Sequence, residues 1–236
     1  ILCTPHHNNG KYHNPKSDVI SLVSSLQSEL DQRNLPLTVL EGQEVRITGD
    51  LIEDIRNDEI LFTDLDDTYI LIEFPTMEVP SFTENIFFEL QSLGKTPVIV
   101  HPERNAFFRK DPNRLIPFLE MGCLAQLTAP SYVGVFGKDI QKTAKLMVEH
   151  NLVQMVASDA HGVKKRTFYM KETYEQIAKD FGQNKVTALQ QVTKDLINGE
   201  QVYFPDFIEI KKKNSGYFRG LKRWMNWMHL ILARKK

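Results

Sequence analysis

Tyr69-Ile70-Leu71-Ile72-Glu73 is a short apolar run closed by a carboxylate, and Pro97-Val98-Ile99-Val100-His101 is a second one closed by an imidazole. Short runs rich in β-branched residues, set between stretches of helical periodicity, read as strands. Similar runs stand at residues 37–40, 124–127 and 153–157, and the chain opens on another, Ile1-Leu2-Cys3-Thr4. Helical stretches are expected at 16–33, 82–93, 112–121, 138–150, 171–181 and 185–198. Strands separated by helical crossovers predict an α/β fold with a parallel sheet, open or closed into a barrel. The punctuation agrees. Asn14-Pro15 and Asp111-Pro112 put proline at helix starts, where its missing N–H costs nothing. Gly94 and Gly122 stand where left-handed helix ends are expected.

The chain has 236 residues, 42% hydrophobic and 25% charged, which places it with soluble globular proteins. That length suits a single α/β barrel domain. Neither a membrane-spanning apolar run nor a signal peptide is present, so a cytoplasmic location is expected by default. Cys3 and Cys123 carry no CxxC spacing and read as reduced, buried thiols. The chain starts inside a strand rather than at a methionine, so a missing N-terminal segment is expected. Residues 1–210 hold 20 basic and 30 acidic side chains, whereas 211–236 hold nine basic and no acidic ones. An acidic body argues against a broad nucleic-acid surface, which needs phosphate neutralisation.

The chemistry is positional. His6 follows the opening strand, Glu44 follows 37–40, Glu73 and His101 end their runs, and Asp159 and His161 follow 153–157. In a parallel barrel, strand ends converge on the face that carries the active site. Taken singly, each His is more often a hydrogen-bonded surface residue, and each Glu a solvated or capping carboxylate. Their joint occurrence at successive strand ends points instead to a metal cluster of imidazoles and carboxylates, suited to Zn, Mn or Fe. Arg104 and Arg166 lie just beyond His101 and His161, as guanidiniums placed to bind phosphate would. The plain alternative is a pair of solvated loop arginines.

Thr4-Pro5-His6-His7, Gly42-Gln43-Glu44, Ile72-Glu73-Phe74-Pro75, His101-Pro102-Glu103-Arg104 and Ser158-Asp159-Ala160-His161 together resemble the polymerase-and-histidinol-phosphatase (PHP) superfamily. More narrowly, they resemble its bacterial protein-tyrosine phosphatases, regulators of capsular and exopolysaccharide synthesis. The resemblance runs from residue 1 to about 210. It implies a distorted (β/α)7 TIM-like barrel of the PHP type, here lacking its first strand, with two or three divalent ions. Manganese is the usual ion, with Zn, Fe or Co as alternatives. It further implies that Glu73 bridges two metals, Asp159 joins the first, His101 binds the second, and His6 and His161 bind the third. Glu44 would lie at or just outside the cluster, and Arg104 and Arg166 would hold the substrate phosphate. Water activated at the metals would then be the nucleophile, consistent with the absence of a Cys-x5-Arg loop. The family's His-x-His pair and following Asp are absent. Adjacent His6 and His7 cannot share one face to replace them, and Ser131 stands where some relatives offer a histidine. The gap reads as truncation; weak metal binding and little activity are expected only if this chain is the whole protein.

The expected organisation is a metallophosphatase domain over 1–210, then a basic linker and an amphipathic helix over 211–236. Apolar residues at 217, 221, 224, 228 and 231 form one stripe of that helix, opposite basic ones. Contact through 217–234 with the inner face of the membrane, or docking on protein, are the two expectations. The expected activity is manganese-dependent hydrolysis of phosphotyrosine on a membrane-associated bacterial tyrosine kinase. The alternatives are a small-molecule phosphatase of the histidinol-phosphatase type and a kinase-binding regulator without turnover.

Overall fold

The computed structural model describes residues 1–164 and 166–211. Strand segments β1 (Leu2–Cys3) and β2 (His6–His7) are followed by α1 (Lys16–Gln32). Then come β3 (Leu40–Glu41), β4 (Glu44–Arg46), α2 (Leu51–Arg56), β5 (Tyr69–Glu73), α3 (Thr83–Ser92) and β6 (Thr96–Val100). After β6 the chain forms a 3-10 turn at Pro102–Arg104, α4 (Ala106–Lys110), a second 3-10 turn at Pro112–Leu115, and α5 (Ile116–Glu120). The remaining elements are β7 (Leu124–Thr128), α6 (Ala129–Tyr132), α7 (Lys138–Glu149), β8 (Met155–Ala157), α8 (Met170–Phe181) and α9 (Gln183–Ile197).

Six strands pair in parallel in the order β2-β4-β5-β6-β7-β8, and β1 pairs with β3 in a short parallel extension. In a flat sheet, five spacings of about 4.8 Å would put the outer strands about 24 Å apart. Yet the rings of His6, on β2, and His161, just beyond β8, lie 5.4 Å apart. The sheet is therefore curled, and among the described residues its two edges do not pair. The expected α/β class and parallel sheet are present. The closed seven-stranded ring is not seen among the described residues.

Both sheet faces are covered, as parallel pairing requires. Alternation sends Ile70, Ile72, Ile99 and Leu127 into the larger core, among the helices that wrap the sheet. It sends Tyr69, Leu71, Val98, Val100 and Met155 into a second core, filled by Val192 and Leu196 of α9. Four phenylalanines organise the larger one: Phe87 lies 6.0 Å from Phe74 and 5.7 Å from Phe118, with Phe108 close by. The chain from Phe204 to Ile210 packs back on this core, and Asn113 exchanges two hydrogen bonds with Ile210.

Several expected elements change once packing is seen. Residues 37–40 do not form a strand. The Leu37 N–H bonds to the Leu35 carbonyl, the Val39 N–H is taken by the Gln27 side chain, and pairing starts only at Leu40. Glu44 thus follows the short β3 and opens β4. His6 likewise follows the opening strand β1 and itself opens β2. The break between β3 and β4 falls at Gly42. A Cβ there would come within 3.2 Å of Thr4 and 3.3 Å of the Phe62 carbonyl. The helix expected over 112–121 divides into a 3-10 turn and α5, because Pro117 has no N–H for a continuous ladder. Helices α2, α4 and α6, four to six residues each, are too short for periodicity to reveal. The amphipathic helix expected at 217–234 lies outside the described residues. Gly94 and Gly122 adopt φ of 74° and 89° behind their helices, as expected. Cys3 and Cys123 are both free thiols.

Phe87→Ala removes a fully buried ring from the centre of the aromatic group. It is expected to cost about 3–5 kcal/mol in urea unfolding. A loss below about 1 kcal/mol would show that these rings do not carry the core.

Candidate metal centre

Parallel pairing puts the strand ends on one rim, and two of them turn sharply there. His101 has φ 37° and Asp159 φ 46°, left-handed conformations that are uncommon for residues other than glycine. Each stores about 1–3 kcal/mol of backbone strain, which surrounding contacts must hold in place. The His101 N–H bonds to the Gln126 carbonyl at 2.7 Å, tying its turn to β7.

The first group of side chains gathers around Glu44, which is 5% exposed. One of its oxygens lies 3.0 Å from His101 Nε2 and 3.2 Å from His6 Nδ1. Glu73 approaches the same His6 nitrogen at 3.8 Å and pairs with Arg46 at 3.0 Å. Burial alone would raise the Glu44 pKa. The close imidazoles of His101 and His6 overcome that and hold it well below the carboxylate range. The Glu44 carboxylate beside it in turn raises the His6 pKa, against the opposing effect of burial.

The second group gathers around Asp159. Arg104 and Arg166 converge on the same carboxylate oxygen at 2.5 and 2.6 Å, and the other oxygen lies 3.2 Å from His161 Nδ1. Both guanidiniums also stand over the ring of Phe136, at 5.2 and 5.9 Å from its centre. The contact between the His6 and His161 rings joins the two groups.

All eight residues singled out from the sequence therefore lie at one rim, in two linked groups. His6, Glu44, Glu73 and His101 form one, and Asp159, His161, Arg104 and Arg166 form the other. His7 points away from both, as alternation along a strand requires. It is buried with Nδ1 2.8 Å from the Asn14 carbonyl, and burial lowers its pKa.

Two functional neighbours were missed. Arg46 stands two residues beyond Glu44, on the same strand face, and this period-2 spacing was the available signal. Glu103, inside the quoted His-Pro-Glu-Arg stretch, is fully buried. One of its oxygens accepts from the Thr128 N–H at 3.1 Å and the Ser131 hydroxyl at 2.6 Å, while the other has no partner. Burial raises its pKa. Ser131 thus faces Glu103 and anchors α6 against the turn that carries Arg104.

The donor set fits a divalent cation. Ligand atoms of His6, Glu44 and Glu73 all lie within 4.8 Å of one another. A tetrahedral ion with bonds of 2.0–2.2 Å separates its ligands by about 3.4 Å, close to the His6–Glu44 and His6–Glu73 distances. His6 Nδ1 is buried without an aligned hydrogen bond, as a nitrogen free to coordinate would be. Arg166 Nε is likewise a buried donor without a partner, suited to an anion.

The family model for capsular polysaccharide synthesis, CpsB/CapC, matches residues 1–197. The tyrosine-protein phosphatase YwqE of Bacillus subtilis is 40% identical over 204 residues, covering 86% of this chain and 80% of that protein. The tyrosine-protein phosphatase CpsB of Streptococcus pneumoniae is 29% identical over 194 residues, covering 80% and 79% respectively. The published crystal structures of YwqE and CpsB, described as unique metal-dependent tyrosine phosphatases, include a chain that superposes with a TM-score of 0.85. That chain is 39% identical, and the match covers 90% of this chain and 85% of the other.

In the metal-free protein the His6 ring is expected to titrate above the ordinary value near 6.5, and Glu44→Gln should bring it back down. The His6–Glu44 pair then stabilises the metal-free fold fully below pH 6.5, and this contribution fades as pH rises through the raised folded value. Proton NMR titration of the His6 ring checks the shift; an unchanged value in Glu44→Gln would refute the pairing.

Proposed function

Because the chain belongs to the CpsB/CapC family of capsular polysaccharide synthesis, we propose that it is a metal-dependent phosphatase acting on phosphotyrosine in a protein. The carrying observation is the meeting, at one rim, of an imidazole–carboxylate pocket with two guanidiniums. The relatives named as tyrosine phosphatases support the substrate class. His6, Glu44, Glu73, His101, Asp159 and His161 would hold two or three divalent ions, with manganese the ion we favour. When bound, such ions supply water activation and charge neutralisation at the phosphoryl oxygens.

The chain's own residues do the rest. Arg104 and Arg166 each spend an N–H on Asp159, which orients both guanidiniums and leaves other donors for phosphate oxygens. Arg166 Nε is one of these donors. Donors fixed before the substrate arrives stabilise developing charge without reorganising at the moment of reaction. The thiols are poor nucleophiles. Burial pushes Cys123 up to about 12 and raises Cys3 as well.

The reading extends to a closed (β/α)7 barrel of the PHP type, whose remaining strand would pair between β2 and β8. It also extends to a cytoplasmic protein working on a membrane-associated tyrosine kinase. Among the described residues no helix is long and apolar enough to cross a membrane.

Phosphate release from a tyrosine phosphopeptide is expected with Mn²⁺ and should be lost on chelation. Arg104→Ala should lower kcat/KM about 10²–10³-fold, in line with the loss of one preorganised donor, and leave metal content unchanged. Asp159→Ala should reduce metal content and turnover together, by elemental analysis and the same assay. Turnover that ignores the chelator would end the metal reading, and metal lost in Arg104→Ala would end the phosphate-clamp role.

A further inference from the structure

A cavity of about 290 Å³ opens beside the rim, between the loop after β5, the turn after β6 and the start of α7. Its polar lining comprises Glu73, Thr76, His101, Arg104, Asn105 and Arg109. Its apolar walls include Phe74, Phe136 and Ile140. We propose that this slot receives the aromatic ring of the phosphoester, with Phe136 and Ile140 as the wall against which the ring packs. The proposal rests on the phosphotyrosine reading and specifies how that substrate would be recognised.

Size and chemistry point the same way. At about 290 Å³ the slot lies at the lower end of the range of about 300–1,000 Å³ usual for ligand clefts, and a single aromatic ring fits within it. A phosphate held by Arg104 and Arg166 is anchored beside Phe136, whose ring lies 5.2 and 5.9 Å from the two guanidinium carbons. The group esterified to that phosphate then lies against the same wall. An alkyl phosphoester of serine would leave much of this apolar surface wet. A phenyl ring covers it and can meet Phe136 offset or edge-on, the geometries that aromatic pairs prefer. Selection of tyrosine would thus come from a wall that also fixes the guanidiniums, rather than from a separate pocket.

The test separates the wall from the clamp. Phenylphosphonate and methylphosphonate share the anion and differ in the ring, and neither is hydrolysed. Titration calorimetry with the full chain and Mn²⁺ is expected to show tighter binding of the phenyl compound. Phe136→Ala should shrink the ratio of the two affinities about tenfold, equivalent to about 1.4 kcal/mol. Phe136→Leu, which keeps apolar bulk if the alanine variant folds poorly, should shrink it about threefold. If both affinities fall together, Phe136 only positions the arginines and the proposal is overturned. A wild-type ratio near one, or binding of neither compound, overturns it too. A preserved ratio change without phosphopeptide hydrolysis would instead sink the phosphatase reading and leave the slot standing.

Discussion

Parallel pairing is the constraint on which everything else rests. Strands that run the same way must be joined by crossovers, so helices cover the sheet and every strand delivers its last residues to one rim. The curl of the sheet then brings the two edges together, and side chains from opposite ends of the chain meet. His6 and His161 are 155 positions apart in the sequence, yet their rings lie 5.4 Å apart. No local feature of either segment produces that contact.

The rim divides its charges into two linked sets. Around Glu44, two imidazoles flank a buried carboxylate, a donor set that a divalent cation could enter. Around Asp159, two guanidiniums share one carboxylate oxygen, which fixes them at a separation an incoming anion can use. Keeping these sets in place requires the left-handed turns at His101 and Asp159. It also requires an anchor beneath them. Glu103 provides that anchor by holding the Thr128 N–H and Ser131 hydroxyl in a dry interior, where leaving those groups unpaired would be costly.

Much of the fold was legible because its strands are simple. The run 69–73 was read with its bounds intact, and those at 97–101 and 124–127 were within a residue of the observed strands. Their apolar side chains have no other satisfactory place than between two covered faces. The run 37–40 misled, because its hydrogen bonds go to a local turn and to the Gln27 side chain, a partner ten or more positions away. Hydrophobicity does not record who accepts a given N–H.

By itself the sequence determined the α/β class, the parallel order of strands and helices, and the eight polar residues that lie at the rim. These follow from short-range pattern, since periodicity and the residues that end each run are local properties. Tertiary structure alone decided how those residues are grouped. It paired Glu44 with His6 and His101, set both arginines on Asp159, turned His7 away and recruited Arg46 and Glu103. It also placed Phe136 beside both guanidiniums. Each of these depends on the register and curl of strands far apart in the chain, and on how burial and neighbouring charge balance at one point in space.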